Sequence, residues 1–233
     1  MKIVIKEKLK EFKMLMGMVK KIGSETKMVF NADEMFMMVS SANCAAGKLT
    51  FKKEFFDSYE IEGEQEEFGI FTNDMFTPLK FAKTELMIEH ANDRIVMHTG
   101  KDKFKNPILT SVSGFDRLPE LSFDFEATIK TSQLAAALTK LSTVGHDCIR
   151  AYVTDGKLMM KSVMGVKEVE VELVECGELE GKSLMSSIYL GYIADSSSTD
   201  ITIKLKKDMP IMFEYDKGGA HMEYVIAPRV NED

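Results

Sequence analysis

The stretch KIVIKEKLKEFKMLMGMVKKI, residues 2–22, carries the first two structural signals of the chain in succession. Ile3, Val4 and Ile5 between lysines read as a short strand. From about Glu7 to Ile22 the period changes. Leu9, Phe12, Leu15, Met16, Val19 and Ile22 recur at helical spacing and form one apolar stripe, while Lys10, Lys13, Lys20 and Lys21 fall on the opposite side. Such a helix can pack its stripe on a sheet and present a row of cations outward. KMVFNADEMFMMVS, residues 27–40, then reads as two strands joined by a turn at Asn31–Asp33.

The same order returns about 122 residues later. FEATIKT (125–131) is strand-like, and SQLAAALTKLSTV (132–144) is helix-like, with Leu134, Leu138 and Leu141 on one stripe. CIRAYVTDGKLMMKS (148–162) is a hairpin around Asp155-Gly156. The offset sets Asp33 on Asp155, Met37 on Met159, Ser40 on Ser162, Phe12 on Leu134 and Val19 on Leu141. A second helix candidate follows in each copy. FTNDMFTPLKFAK (71–83) precedes strands TELMIEH and RIVMHT, and SLMSSIYLGYIADSS (183–197) precedes DITIKLK and PIMFEYD. Pro78 requires the first of these helices to start late, near Asp74 or Thr77. VSGFDRLPELSFDF (112–125) has the Gly, Pro and mixed polarity of a linker that lies on a surface.

These elements predict an α+β chain of two similar domains, each mostly antiparallel sheet with two helices. The boundaries fall at 1–112, a connecting loop at 113–125, and 126–233. Either domain is long enough to bury its own core.

Net charge is −7, yet residues 1–21 hold seven lysines against two acids, so the other 212 residues carry −12. An acidic body with one concentrated basic element can still engage a polyanion through that element. Three distant cysteines (Cys44, Cys148, Cys176) fit reduced, buried thiols, and the 18 methionines fit core gap-filling. No apolar run approaches the ~18 residues of a membrane span, and the N-terminus lacks the apolar segment of a secretion signal.

Signals for catalysis are absent or bland. GKLT (47–50) brushes against a phosphate-binding loop, but Ala42 stands where Gly is needed and Leu49 where Ser or Thr would hold magnesium. The four histidines show no ligand spacing. His146-Asp147-Cys148 reads as a helix-to-strand turn, since adjacent residues cannot face one another. EGEQEEF (62–68) reads as a solvated loop. No catalytic residue, metal or cofactor is expected.

DMPIMFEYDKGGAHMEYVIAPRV (208–230) resembles the C-terminal signature of the DNA sliding-clamp family, proliferating cell nuclear antigen (PCNA) and its archaeal counterparts, with archaeal-type clamps the nearer likeness. LPEL (118–121) looks like the family's interdomain connector. KEFFDSY (53–59) looks like a stretch of its first sheet, and the internal repeat has its element order. The resemblance implies the clamp fold, assembled as a ring of three subunits and six domains with helices lining a central hole. It implies a processivity factor without enzymatic activity that slides on double-stranded DNA without reading sequence and tethers replication and repair proteins. Lys10, Lys13, Lys20 and Lys21, with Lys80, Lys83 and Lys140, would line the hole. A pocket for a partner's peptide would be made by Val39, Asn43, Cys44, Leu118, Pro210, Val225, Ile226, Ala227 and Pro228, receiving the guest by strand addition and an anchored apolar plug. Pro228 would stop the final ladder, leaving Arg229 and the acidic tail to solvate the exit.

Subunits would meet edge to edge through Pro107, Ile108, Leu109 and Val112 against Val169, Val171 and Leu173. Implied partners are DNA polymerase, other proteins with clamp-binding peptides, a clamp loader and the chain itself as a homotrimer, but no membrane. The location would be cytoplasmic and nucleoid-associated in an archaeon, and nuclear or in a viral host compartment otherwise. The last helix departs from the family by offering serines where clamp helices add lysine or arginine. The alternatives are a subunit of a heteromeric or viral clamp, a scaffold of the same fold that never encircles DNA, and a metal-dependent hydrolase using Asp57, Glu60 or Glu66.

Overall fold

The computed structural model describes residues 1–41, 44–112, 117–145, 147–177, 181–194 and 199–229. It divides into two compact units. The first comprises Met1–Ser41, Ala46–Leu118 and Asp216–Met222; the second comprises Ala42–Ala45, Pro119–Tyr215 and Glu223–Asp233.

In the first unit the chain runs β1 (Lys2–Ile5), α1 (Leu9–Ile22), β2 (Glu25–Asn31), β3 (Glu34–Ser41), β4 (Ala45–Lys52), β5 (Ser58–Glu60), β6 (Gln65–Phe71), α2 (Thr72–Leu79), β7 (Leu86–Ala91), β8 (Arg94–Thr99) and β9 (Asp102–Pro107). The strands lie in the orders β5-β1-β7-β8-β9 and β4-β3-β2-β6. The second unit runs β10 (Phe125–Lys130), α3 (Thr131–Leu141), β11 (Cys148–Thr154), β12 (Lys157–Met164), β13 (Lys167–Glu175), β14 (Lys182–Ser186), α4 (Ser187–Ile193), β15 (Asp200–Leu205), β16 (Ile211–Lys217) and β17 (Ala220–Ile226). Its orders are β13-β12-β11-β14 and β10-β15-β16-β17. Strand for strand these are the arrangements of the first unit, which adds only β5. The expected duplication is therefore present in topology as well as in element order.

The two copies also share a long-range tie. Thr72 at the start of α2 donates its N–H to Ser24 O at 2.8 Å, and Ser187 at the start of α4 donates its own to Asp147 O at 2.8 Å. Each second helix is thus pinned to the chain just before the central hairpin. The turns of those hairpins use different chemistry. Asn31 Oδ1 accepts from the N–H groups of Asp33 (2.9 Å) and Glu34 (3.0 Å), an Asx turn. Asp155 and Gly156 instead adopt φ of 49° and 70°, as a two-residue turn matched to strand twist requires.

Core packing follows the periodicities. Leu9, Phe12, Leu15, Met16, Val19 and Ile22 are all buried, and Phe12 meets Phe51 at 5.1 Å between ring centres, with Phe55 4.6 Å beyond Phe51. Met16, Met28, Met35, Met37, Met75, Met97, Met160 and Met185 are fully enclosed, as gap-filling side chains should be. Gly23 ends α1 because nothing larger fits. A Cβ there would lie 2.6 Å from Ser40 O and 2.8 Å from Val39 Cγ2.

Several expectations are corrected. Helix α1 begins at Leu9, two residues late, because Asp57 Oδ2 takes the N–H groups of Lys6 (2.6 Å) and Glu7 (3.4 Å) and turns the chain there. Helix α2 begins at Thr72, ahead of the expected start, and carries Pro78 inside it. Proline removes the donor that would have met Asp74 O, and Asn106 Nδ2 supplies a replacement at 2.8 Å. SLMS belongs to β14, so α4 is only seven residues long. EGEQEEF is loop only up to Glu64, since β6 begins at Gln65. The cysteines are not buried: Cys44 is exposed, and Cys148 and Cys176 are partly so. GKLT lies within β4, where an extended backbone offers no phosphate cradle. Asn43, His146 and residues 113–116 lie outside the described residues.

Candidate functional site

Two features carry the binding potential: the outward face of the first unit's helices, and the end of β17. On α1, steps of about 100° per residue bring Lys10, Lys13, Lys20 and Lys21 within an arc of roughly 100°. Gly17 sits in the middle of that arc. Phe76 of α2 packs beside it, its Cε2 at the ordinary contact distance of 3.5 Å from where a Cβ at Gly17 would lie. Phe76 in turn underlies two cations, with Lys20 Nζ at 4.6 Å and Lys80 Nζ at 5.8 Å from the ring centre. An aromatic face attracts both ammonium groups and steadies them at the surface.

The lysines are not equivalent. Lys10, Lys21, Lys80 and Lys83 are exposed, whereas Lys13 is half-buried and donates to Ala82 O. One hydrogen of that ammonium is committed to the fold. In the second unit Lys140 is exposed on the last turn of α3. Its neighbour α4 presents Ile188, 59% exposed, and a perpendicular Tyr189–Tyr192 pair at 5.7 Å. The described surface of α4 is thus aromatic and apolar, without a lysine or arginine. Phe76 was missed because its role joins Lys20 of α1 to Lys80 at the end of α2; no local pattern announces it.

Strand β17 ends at Ile226, and Ala227 continues with one more bond, its N–H donating to Cys44 O at 2.8 Å. Pro228 has no N–H and ends the series. Ala227, Pro228 and Pro210 are partly accessible and Cys44 is exposed, while Val225 (5%) and Ile226 (0%) are buried as sheet core. Val39 is also buried, and Leu118 is partly exposed; both belong to the first unit. Tyr224 anchors the strand from below, its hydroxyl donating to Tyr189 O at 3.1 Å. Burial, then the neighbouring Tyr192 and Tyr189, push its phenol far above the ordinary range. Arg229 does more than solvate the exit. Its N–H donates to Leu184 O and its guanidinium to Cys148 Sγ, both at 2.8 Å, fastening the chain along β14.

The residues named for subunit contact fall on sheet margins. β9 ends one sheet of the first unit and β13 ends one sheet of the second. Val169 and Val171 are partly exposed on β13, and Leu173 is buried. Leu109 is already engaged, exchanging two backbone bonds with Gly69 (2.8 and 3.2 Å), and the Ile108 N–H donates to Asp93 O at 3.4 Å, while Pro107 is exposed at the end of β9. Of the carboxylates weighed for hydrolysis, Asp57 holds the turn before α1. Glu60 ends β5, and Glu66 lies 2.8 Å from both the Met1 amino group and His90 Nδ1. Among the described residues no three His, Cys, Asp or Glu side chains gather as a metal site.

No protein-family model matches the chain. It is 28% identical over 193 residues to DNA polymerase sliding clamp 2 of Sulfolobus acidocaldarius, spanning 76% of this chain and 78% of that protein. To the DNA polymerase sliding clamp of Methanosarcina barkeri it is 23% identical over 210 residues, 84% of each. Among solved structures, A. fulgidus PCNA bound to the C-terminal region of FEN-1 superposes with a TM-score of 0.88 at 18% identity, covering 100% of this chain and 99% of that one. PCNA of Thermococcus kodakaraensis gives 0.86 at 20% identity, with 98% and 99% covered. The chain is thus similar in sequence to archaeal DNA polymerase sliding clamps and shares the duplicated fold of PCNA.

Proposed function

We propose that the chain is a DNA polymerase sliding clamp, a subunit that closes with two copies of itself into a ring around duplex DNA and tethers replication and repair enzymes there. The observation that carries this reading is the lysine arc of α1 and α2, an outward cationic face on a chain whose remainder is strongly acidic. Lysines set against phosphates bind without regard to base sequence, so the contact survives translation along the helix. Retention would come from closure of the ring, which lets individual contacts stay weak. Lys10, Lys20, Lys21, Lys80 and Lys83 are the proposed DNA-facing set, with Lys13 and Lys140 secondary.

The docking point for partner peptides is assigned to the end of β17, where Ala227, Pro228 and Cys44 leave accessible backbone and a small apolar surface. Main-chain pairing plus one anchored side chain gives modest affinity and exchange among partners. A clamp loader is needed to open such a ring. The chain itself catalyses no reaction in this reading, and it acts wherever the cell keeps its DNA. β9 of one copy meets β13 of the next, which also protects both edges from non-specific pairing.

The test combines mass and topology. Sedimentation should give a trimer, and the loaded protein should remain on closed circular DNA but run off once the circle is linearised. A monomer, or equal loss from both DNA forms, refutes the proposal.

A further inference from the structure

The second unit holds a cationic cleft that the clamp reading does not use. Its volume is about 510 Å³, and its lining includes Arg150, Tyr152, Thr154, Lys161, Lys182 and Lys207. Alternation along the strands explains the grouping. Ile149, Ala151, Leu158, Met160 and Met185 are buried in the core. Arg150 and Tyr152 on β11, Lys161 on β12 and Lys182 on β14 take the other face.

Register makes this arrangement costly. Arg150 stands directly opposite Lys161, and Tyr152 opposite Lys182. Like charges facing across a ladder destabilise it. Glu168 answers Lys161 at 2.6 Å. Arg150 has no such partner among the described residues, and its Nε is buried without any hydrogen bond. A guanidinium without a carboxylate partner among the described residues, set opposite a second cation, is a liability that a chain tolerates where an anion completes the site. Lys182 and Lys207, from a different strand and from the loop before β16, bring two more positive charges to the same cleft.

We propose that this cleft is a phosphate-binding site, taking a multiply charged phosphate group against Arg150, Lys182 and Lys207, with the hydroxyls of Tyr152 and Thr154 as further donors. Guanidinium is the group suited to two-point contact with phosphate oxygens. Three cations beyond the Lys161–Glu168 pair call for more negative charge than one carboxylate supplies. The volume is that of a small-ligand site. The phosphate could belong to a small molecule or to a nucleic-acid strand lying over this face.

Calorimetric titration of the full chain at low ionic strength distinguishes these sources. One arm uses pyrophosphate and the other a thymidine oligomer without terminal phosphates. Saturable binding of pyrophosphate, weakened about tenfold or more by Arg150→Gln and by the double change Lys182→Gln/Lys207→Gln, supports a small-molecule phosphate. Binding of the oligomer alone, lost in the same variants, supports a strand. The exposed lysine pair can be changed without disturbing the core, so it remains informative if Arg150→Gln fails to fold. Lys101→Gln, on the first unit, should alter neither arm. Absence of binding in both arms, or binding that these substitutions leave unchanged, overturns the proposal.

Discussion

Neutralising Lys10 and Lys21 together should measure how the α1 face meets DNA. Both side chains are exposed on α1, whereas Lys13 has given one donor to Ala82 O and Lys20 rests over Phe76. Each lysine that neutralises a phosphate contributes about 0.9 to the slope of log affinity against log salt. Lys10→Gln/Lys21→Gln should therefore flatten the slope by ~1.8 for each subunit whose two contacts are engaged. Between about 50 and about 200 mM salt that change corresponds to roughly a tenfold smaller loss of affinity. Lys13→Gln alone should flatten it by less than ~0.9, because its ammonium is already partly satisfied. The assay is fluorescence anisotropy with a labelled linear duplex over a salt series, with sedimentation in parallel to confirm that assembly is intact. A double variant that keeps its mass and an unaltered slope would refute the assignment of this face to DNA. So would a larger effect from Lys13 than from the exposed pair.

Gly23→Ala should cost about 1–3 kcal/mol, the range of overpacking, because its Cβ would press on Ser40 O; thermal melting measures this. Glu66 carries a pH prediction. Burial alone would raise its pKa, but hydrogen bonds and charge from the Met1 amino group and His90 outweigh burial and hold it below the usual value. A depressed carboxylate stabilises the fold above its unfolded pKa and loses that contribution as pH falls through the folded one. Glu66→Gln should thus lower the melting temperature near neutrality, and the gap from the parent should close in acid, below about pH 4; a gap independent of pH counts against the pairing. Tyr224→Phe removes the bond to Tyr189 O and should cost about 1 kcal/mol in denaturant unfolding. Val171→Arg, at the margin of β13, should shift the sedimenting species from trimer to monomer while circular dichroism stays unchanged.

Much of the fold was legible because burial writes itself into local period. The stripe of α1, the alternation in the hairpins and the recurrence of both at one offset each follow from a helix or strand needing one apolar face. Element boundaries were less legible where a distant group intervened. Asp57 delayed α1, and Thr72, tied by its hydroxyl to Gly23 O at 2.8 Å and by its N–H to Ser24, advanced α2. Pro78 is accommodated in a helix starting at Thr72 because Asn106, distant in sequence, serves the carbonyl that proline leaves without a partner.

By itself, then, the sequence determined the strand, helix and hairpin that open each copy, the duplication, the gathering of lysines on one helix and the chain end that breaks its ladder at Pro228. Those are properties of neighbours along the chain, and periodicity and proline geometry suffice to state them. Tertiary structure alone decided that Phe76 lies beneath Lys20 and Lys80, that Arg229 fastens to β14, and that Arg150 faces Lys161 beside a cleft. Each of these joins residues from separate elements. Register and packing set their distances, and no local pattern of residues encodes them.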